Sequence, residues 1–388
     1  MTEDHLLTTA EVAQRLRIKP ETIYAYVSRG LLTRVKVPGE RISRFRLSDV
    51  ERLASRTQGT RPERDAAPAM RTAITLIAYN RLFYRGRDAV SLVDTPFEQV
   101  ATWLWGGGRP EFAAPVEVLA RARDASGHLP PHARLVDRLP VIVAVAAASD
   151  PLRFDLSPST VVDRAPQLLA TMVDALPARS EPADRGVAAR LWSRLTDRAP
   201  SARDLRALNA ALVLLADHDL AASTIAVRVA ASTRAHPYAV VSAGLGALDG
   251  PMHGAVGAGV FRLIETAARD GAAAAIAEQL RSGGLPGFGH SLYPEGDPRA
   301  RALLDVVPIP GDLQATLDDL VETANAKPNI DFAVASLAHS AGMGPGAAEV
   351  IFAVARTAGW IAHAIEEYAQ PPHRFRWSSG YVGPTPAA

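Results

Sequence analysis

Apolar residues recur at spacings of three and four along nearly the whole chain beyond residue 84, and this period limits the fold more than any other feature. It is clearest in Leu205–Leu215, Ser223–Val229 and Ala348–Ile365, where it places the apolar side chains on one face of a helix. Strand-like runs are scarce, although a short hairpin is expected at Ile74–Tyr84. The sequence therefore predicts a mainly α protein.

Length and composition limit the class of protein. The 388 residues exceed one ordinary compact domain, and 48% hydrophobic with 21% charged residues is the balance of a folded globular chain. The formal net charge is +1, so a nucleic-acid partner would require a local basic patch. The absence of cysteine excludes disulfides, thiolate metal ligands and a cysteine nucleophile. The histidines lack HExxH or comparable spacing, so no metal site is predicted.

The start of the chain and its apolar runs bear on location. Glu3 and Asp4 stand where a signal peptide carries basic residues. The longest apolar stretch, Leu139–Ser149, is too short to span a bilayer. The sequence predicts a cytoplasmic protein without a membrane partner.

A polar stretch at 57–70, TQGTRPERDAAPAM, has two prolines and no apolar period, and is interpreted as a linker. The preceding segment, 1–56, predicts a small separate domain. Thr8 and Glu11 form a capping box that opens its first helix. The predicted elements are a helix Ala10–Leu16, a helix from Pro20 to about Ser28, a hairpin Leu31–Phe45 around Pro38 and Gly39, and a third helix opened by Ser48 with Glu51.

This layout is that of a winged helix-turn-helix, and LTTAEVAQRLRIKPETIYAYVSRGLL resembles the DNA-binding domains of the MerR and excisionase families. Nine Lys or Arg lie between Arg15 and Arg46 against Glu21 and Glu40, a stripe that can neutralise phosphates. The alternative is a solvated basic face on a domain used only for packing. The candidate DNA-contacting residues are Lys19, Thr22, Tyr24, Tyr26, Arg41, Arg44 and Arg46.

Three glycine- and histidine-bearing segments stand out in the helical part: GPMHG at 250–254, PGFGHSLYPEGDPRA at 286–300 and PNIDFAVASL at 328–337. In this order, with LFYRGRDAVSLV, ADHDLAAST and RTAGWIAHAIEEY, they resemble the active-site segments of citrate synthases over about 320 residues. The resemblance implies a two-domain helical fold, with a large domain at 71–254 and 343–388 and a small domain at 255–342. It also implies a homodimer.

The implied reaction condenses oxaloacetate with acetyl-CoA, or with another short acyl-CoA such as propionyl-CoA, and uses no cofactor beyond the acyl-CoA substrate. By resemblance, Asp331 is the general base that removes a proton beside the thioester. His253 would hydrogen-bond the thioester oxygen as the enol forms. His290 would polarise and then protonate the oxaloacetate carbonyl. Such groups are required because the proton is weakly acidic and the enolate must be stabilised as it forms.

Oxaloacetate carries two carboxylates, which guanidinium groups bind in bidentate fashion. Arg299 and Arg356 match the family's substrate arginines, and His218 matches a further pocket histidine. A third arginine, which the family takes from the other subunit, corresponds to Arg374 or Arg376, because the spacing to the terminal YVG differs from the usual pattern.

The chain departs from the family pattern beside the pocket. Ala-Val-Gly follows His253-Gly where the family usually has Gly-Ala-Asn, Ala221 replaces a frequent asparagine, and Ser291 replaces a frequent arginine. Two interpretations stay open. One is an ordinary enzyme with a reshaped substrate pocket. The other is a weak or inactive relative that senses a metabolite for the DNA-binding domain.

Overall fold

The computed structural model describes residues 6–16, 18, 20–28, 31–35, 43–47, 49–50, 70–108, 111–254, 256–281, 283–375 and 383. The chain separates into two compact units, and one of them is Met70–Phe375. The described N-terminal residues belong to the other. Each unit is described by itself.

The described residues of the N-terminal unit include two helices and a three-stranded sheet. Helices α1 (Thr9–Leu16) and α2 (Pro20–Ser28) confirm the two predicted helices. The capping box is also confirmed, because Thr8 N–H donates to the Glu11 carboxylate at 2.7 Å while Glu11 N–H donates to the Thr8 hydroxyl at 3.3 Å. The strands are β1 (Leu6–Thr8), β2 (Arg34–Val35) and β3 (Arg44–Arg46).

Strand β3 is the middle strand of this sheet and pairs antiparallel with both β1 and β2. The β2–β3 pair confirms the predicted hairpin, whereas β1 was not predicted from the sequence. Buried Val12, Ile23 and Phe45 form the centre of the core. The predicted turn at Pro38 and Gly39, most of the predicted third helix and the predicted linker up to residue 69 lie outside the described residues.

The larger unit begins with the expected hairpin. Strands β4 (Thr75–Ala78) and β5 (Arg81–Tyr84) pair antiparallel, and β6 (Arg87–Asp88) continues the sheet. Tyr79 and Asn80 both have φ near +54°. Two consecutive residues in the left-handed region form the tight turn that matches the twist of a hairpin.

A short 3₁₀ turn at Ala89–Leu92 leads into the helices. Fourteen helices follow in the described part of this unit: α3 Phe97–Leu104, α4 Val116–Gly127, α5 Arg138–Ser149, α6 Pro158–Asp174, α7 Val187–Leu195, α8 Ala202–Leu215, α9 Ala222–Ser232, α10 Pro237–Leu248, α11 Val256–Asp270, α12 Ala272–Arg281, α13 Pro298–Leu304, α14 Gly311–Ala324, α15 Ile330–Ser340 and α16 Ala347–Tyr368. The mainly α prediction is confirmed.

Two hydrophobic clusters lie within this unit. The smaller is formed by α11, α12 and α14, with Phe332 and Ala335 of α15. Ala333 and Leu337, on the opposite side of α15, belong to the larger cluster. Helix α15 therefore joins the two cores. The smaller cluster lies within 255–342, and those boundaries stay a prediction.

Helix α16 runs through the larger core. Within the described part of the chain it is the one helix long and apolar enough to cross a membrane, and 89% of its apolar window is buried inside the protein. At Gly359 a Cβ would lie 2.4 Å from the Ala216 carbonyl oxygen. Gly359 N–H donates to that same oxygen at 2.9 Å. This close approach fixes α16 against the segment that carries Asp217 and His218.

Candidate active site

Backbone bonds hold the loop before His290 against the start of α15. Gly289 N–H donates to the Lys327 carbonyl at 2.8 Å, and Asn329 N–H donates to the Gly287 carbonyl at 2.9 Å. The Asn329 side chain also donates to the Gly289 carbonyl at 3.0 Å. His290, the next residue in the chain, is thereby fixed beside the first turn of α15.

Glycine is required in this loop. Gly287 and Gly289 have φ of +86° and +70°, where other L-residues are strained. A Cβ on Gly287 would also lie 3.0 Å from the Val260 side chain. Asn329 caps α15 by accepting from Asp331 N–H at 3.0 Å, so Asp331 points from the first turn of a well-anchored helix.

Asp297 ties a second helix to the same place. Its two oxygens accept from Nε and Nη2 of Arg299 at 3.0 and 2.8 Å, and its carboxylate also accepts from Ile330 N–H at 3.0 Å. Both side chains of the pair are buried. Burial alone would raise the pKa of Asp297, but Arg299 outweighs it and holds the pKa below its usual value. Asp297 therefore fixes Arg299 relative to the start of α15.

His290, His218 and Tyr293 form an aromatic cluster. The His218 and His290 ring centroids are 5.2 Å apart, and the His290 and Tyr293 centroids are 4.8 Å apart. His218 Nε2 and the Tyr293 hydroxyl are at hydrogen-bond distance, 3.0 Å. The Arg299 guanidinium lies 5.4 Å from the centroid of the Tyr293 ring. Burial raises the pKa of Tyr293 to about 12, although the charge of Arg299 acts in the opposite direction.

The hydrogen bonds of His290 indicate its tautomer. Leu292 N–H donates to His290 Nδ1 at 3.2 Å, so Nδ1 accepts and the ring proton lies on Nε2. Burial and, after it, the charge of Arg299 lower the pKa of His290. The ring is therefore held neutral with an N–H available for donation.

His253 lies in the turn that follows α10. Its Nε2 is 2.8 Å from the Ser223 hydroxyl, and that hydroxyl oxygen accepts from the Trp360 indole N–H at 3.3 Å. Burial, and then Arg356, lower the pKa of His253 to about 4, so this imidazole is also neutral near pH 7. Gly254 allows the turn to close, since a Cβ there would lie 2.5 Å from the Leu248 side chain.

The pKa of Asp331 moves in the direction that a general base requires. Desolvation raises the pKa to about 6, and Arg299 and Arg356 oppose the rise while Asp297 adds to it. A base with this pKa is ionised at neutral pH and accepts a proton more readily than an ordinary aspartate.

Arg356 of α16 is buried, and its contacts within the described residues are to a backbone carbonyl and an aromatic ring. Its Nε donates to the Leu215 carbonyl at 2.8 Å, and its guanidinium lies 4.7 Å from the centroid of the Phe352 ring. It forms no ion pair with the described residues. The cost of burying this charge lowers its pKa, and Asp217 acts in the opposite direction. Such a cation is available for an anionic ligand.

The pKa of His218 indicates that these groups share a site. Burial first, and then the charges of Arg299, Arg356, His290 and His253, lower this pKa well below its usual value. Electrostatic influence of this kind requires proximity. Arg299 and Arg356 also act on the pKa of Asp331, so the two arginines lie near both this aspartate and the three histidines that the sequence singles out.

Two protein families match parts of this chain. The family described as "Citrate synthase, C-terminal domain" matches residues 64–377. The chain belongs to the citrate synthase family. A second family, described as "Helix-turn-helix domain", matches residues 6–58, which confirms the helix-turn-helix expected there.

Several curated relatives carry citrate synthase names. Citrate synthase 2 of Bacillus subtilis is 36% identical over 52% of this chain and 57% of the relative. 2-Methylcitrate synthase 2 of Corynebacterium glutamicum is 28% identical over 74% of this chain and 85% of the relative. The first three relatives are matched over only 57%, 38% and 54% of their lengths, so the chain spans about half the length of these proteins.

Solved citrate synthases have the same fold. The enzyme from Thermotoga maritima is 25% identical, with a TM-score of 0.65 over 84% of this chain and 96% of that one. A citrate synthase from Thermoplasma acidophilum, solved as a ternary complex with carboxymethyl coenzyme A and oxaloacetate, is 22% identical, with a TM-score of 0.69 over the same shares. The expected citrate synthase fold is confirmed.

The two candidates for the family's cross-subunit arginine differ in the structure. Arg374 binds Glu367 of its own chain through Nε and Nη2, at 2.6 and 2.7 Å, so its guanidinium is already paired. Arg376 lies outside the described residues. The structure therefore does not bring Arg374 to the cluster around His218.

Sequence reasoning missed four residues that position this candidate site: Tyr293, Asp297, Ser223 and Asn329. Asp297 and Asn329 had a usable signal, because Asp before Pro298 and Asn two residues before Asp331 are common helix caps. Tyr293 and Ser223 had none, since their partners lie 75 and 30 residues away in the chain.

The candidate DNA-contacting residues are only partly described. Tyr24 of α2 is exposed, with Arg34 stacked 5.4 Å from its ring centroid. Tyr26 packs against the core of the N-terminal unit, and Thr22 is half-buried. Arg44 and Arg46 lie on β3, where Arg46 is exposed. Lys19 and Arg41 fall outside the described residues.

Proposed function

We propose that this chain condenses oxaloacetate with acetyl-CoA or another short acyl-CoA, such as propionyl-CoA, to give citrate or a homologue and free CoA. Family membership and the names of its relatives support a reaction of this class. The observation that carries the proposal is the protonation pattern of the site: two imidazoles held neutral beside a carboxyl whose pKa is raised.

The first step is enolisation of the acyl-CoA. Asp331 removes a proton from the carbon beside the thioester carbonyl, and His253 donates a hydrogen bond to the developing enolate oxygen. A neutral imidazole suits this role because it stabilises the oxygen without adding a charge that would lower the basicity of Asp331. Ser223, bonded to Nε2, leaves the Nδ1 side of the ring for this contact.

The second step is attack of the enol carbon on the oxaloacetate ketone. His290 carries its proton on Nε2, so it can donate to the ketone oxygen and deliver the proton as the carbon–carbon bond forms. Arg356 and Arg299 bind the carboxylates of oxaloacetate. Hydrolysis of the resulting thioester then releases CoA.

The acyl-CoA assay tests this proposal. Release of free CoA is measured with oxaloacetate and either acetyl-CoA or propionyl-CoA. We expect release that requires oxaloacetate, is lost in His290→Ala, and persists in His128→Ala, a histidine whose exposed side chain pairs with Asp124. If neither acyl-CoA releases CoA while calorimetry still detects oxaloacetate, the chain is a metabolite-binding relative and not an enzyme.

A homodimer belongs to the same proposal. In the family one substrate arginine comes from the other subunit, and Arg374 is paired within its own chain. We assign that role to Arg376. Mixing Arg376→Ala with His290→Ala subunits should restore activity, because one of the two sites in the mixed dimer then receives both functional residues.

A second function is favoured by the helix-turn-helix match and by the arginines on β3. We propose that the N-terminal domain binds DNA as a pair on the homodimer and reads an inverted repeat. Affinity should fall steeply with salt, since phosphate contacts release counterions. In Arg44→Gln/Arg46→Gln, both the affinity and the slope of its salt dependence should fall. Retained affinity in that variant, or no binding at physiological salt, contradicts DNA recognition.

The sensor alternative requires that the two functions are coupled. Oxaloacetate or acyl-CoA must then change DNA affinity, and DNA must change ligand affinity by the same factor. A gel-shift titration with and without ligand measures this. DNA binding that is insensitive to both ligands leaves an enzyme that carries an independent DNA-binding domain.

A further inference from the structure

A basic cavity separate from the candidate active site lies on the larger unit among α4, α5 and α7. Its volume is about 550 Å³, and its walls include the arginines 123, 138 and 194 against one acid, Glu181. Cavities of this size hold small-molecule ligands. Neither the catalytic residues proposed above nor the substrate arginines line it.

Arg194, near the end of α7, is the unusual member of this group. The residue is 8% exposed, its Nε is buried without a hydrogen-bond partner, and its guanidinium forms no hydrogen bond or ion pair with the described residues. The nearby Asp174 is bonded instead to Arg190 at 2.5 Å. Burial lowers the pKa of Arg194, and Asp174 counteracts this only in part. A buried, unpaired guanidinium at a cavity wall is costly unless a ligand compensates it.

The other two arginines leave donors available. Arg123 uses Nε and Nη2 on the Asp174 carbonyl, at 3.1 and 3.0 Å, and Arg138 donates through Nη1 to the Ser126 carbonyl. An arginine has five N–H donors, so each retains some that are not used in these bonds. Neither carbonyl neutralises a charge.

We propose that this cavity is a binding site for a small polyanion, a molecule that carries two or more phosphate or carboxylate groups. The arginines supply three positive charges against Glu181, and bidentate guanidinium groups match both oxyanion types. Arg194 binds the most deeply inserted group, and Arg123 lies at the exposed rim.

The site adjoins the turn between α15 and α16. Arg194 also borders a neighbouring cavity whose wall includes Gly344 and Gly346. The segment after α7 holds the same turn, because Thr196 donates to the Gly342 carbonyl at 3.4 Å and Arg198 donates to the Ala341 carbonyl at 3.3 Å. A bound anion would therefore act where the helices that carry Asp331 and Arg356 connect.

Calorimetry on the full-length protein without substrates tests binding. Pyrophosphate and tricarballylate serve as the phosphate and carboxylate probes. We expect at least one to bind, and Arg194→Gln and Arg123→Gln each to weaken it roughly 10- to 150-fold, the range for a hydrogen bond to a charged group. Arg121→Gln is the matched control, because Arg121 lies on the same helix with an exposed side chain that pairs with Glu117. The probe that shows this pattern identifies the ligand class.

The proposal is overturned if neither probe binds, if binding survives Arg194→Gln, or if Arg121→Gln weakens it equally. Thermal unfolding of each variant identifies a misfolded protein, and Arg123→Gln, at an exposed position, decides the test if Arg194→Gln does not fold. None of these readouts uses catalysis, so the result does not depend on the proposed function.

Regulation of catalysis by an anion bound near this turn rests on the proposed function and is tested by a separate measurement. The rate of CoA release is compared with and without the binding probe in wild type and in Arg194→Gln. A change of rate in wild type that disappears in Arg194→Gln supports regulation. Tight binding without any change of rate overturns it and leaves the binding site itself in place.

Discussion

Two fully buried arginines differ in how their charge is compensated: Arg356, which lies on α16, and Arg228 of α9, which packs against α16. Arg228 donates to Glu367 at 3.0 Å, to Glu366 and to His363, so two carboxylates compensate its charge. Arg356 donates to the Leu215 backbone carbonyl and lies over the Phe352 ring, and it forms no ion pair within the described residues. One arginine belongs to a closed network and the other faces the candidate active site.

The difference indicates that one of these arginines stabilises the fold and the other binds a ligand. The network continues from Glu367 to Arg374, and from His363 to Asp217 at 3.2 Å. A buried charge with all its partners stabilises the fold, because removing one partner leaves the others unpaired. A buried charge without partners costs stability, and such groups cluster at functional sites. We therefore expect network substitutions to change stability and active-site substitutions to change catalysis.

Asp331→Asn should have the largest effect. Losing the general base is expected to lower the rate of condensation about 10²- to 10⁴-fold, measured as CoA release, with no loss of stability. Asp312→Asn is the matched control, since Asp312 is exposed and also stands second in its helix. Wild-type turnover in Asp331→Asn would refute the assignment of the base.

Arg228→Met should be the most destabilising change in the comparison. It leaves Glu366 and Glu367 without their shared cation, and breaking a buried pair in this way costs about 3–5 kcal/mol of unfolding free energy, measured with urea. Arg206→Met, which removes an exposed pair with Asp94, should cost far less, because water screens this pair. Equal losses of unfolding free energy in the two variants would contradict a structural role for the network.

Arg356→Met should weaken oxaloacetate binding by about 2–5 kcal/mol, because the substrate carboxylate loses its buried partner. Its unfolding free energy should fall less than that of Arg228→Met, since no carboxylate is left unpaired. Calorimetry with oxaloacetate and urea unfolding measure the two effects. If Arg356→Met binds normally and unfolds as easily as Arg228→Met, the two arginines have the same role.

The pH dependence should show opposite trends for activity and stability. The pKa of Asp331 is about 6 in the folded chain and near 4 when unfolded. The folded state binds the proton more tightly, so the contribution of Asp331 to stability is present below pH 4 and is lost as pH rises through about 6. Activity rises over the same interval as the base ionises. In Asp331→Asn this part of the stability profile should be absent, which urea unfolding at several pH values checks.

Much of the fold was predictable because it depends on local patterns. The 3.6-residue period predicted α8, α9 and α16, and the capping signals predicted α1 and α2. Strand β1 was not predicted, since it has three residues and its partner β3 lies almost forty residues away. The resemblance supplied Asp331 and the histidines as a set, but it did not reveal which side chains hold them.

The sequence by itself determined the helical class, the N-terminal helix-turn-helix, and the residue types that the proposed chemistry needs, because periodicity, caps and motifs depend on residues close together in the chain. Tertiary structure decided the protonation state and the ion pairing of those residues. Two arginines of similar burial became a structural ion pair and a free cation only because Glu366 and Glu367 reach Arg228 and no described carboxylate pairs with Arg356. Desolvation and pairing depend on distances between remote segments, and no local pattern specifies those distances.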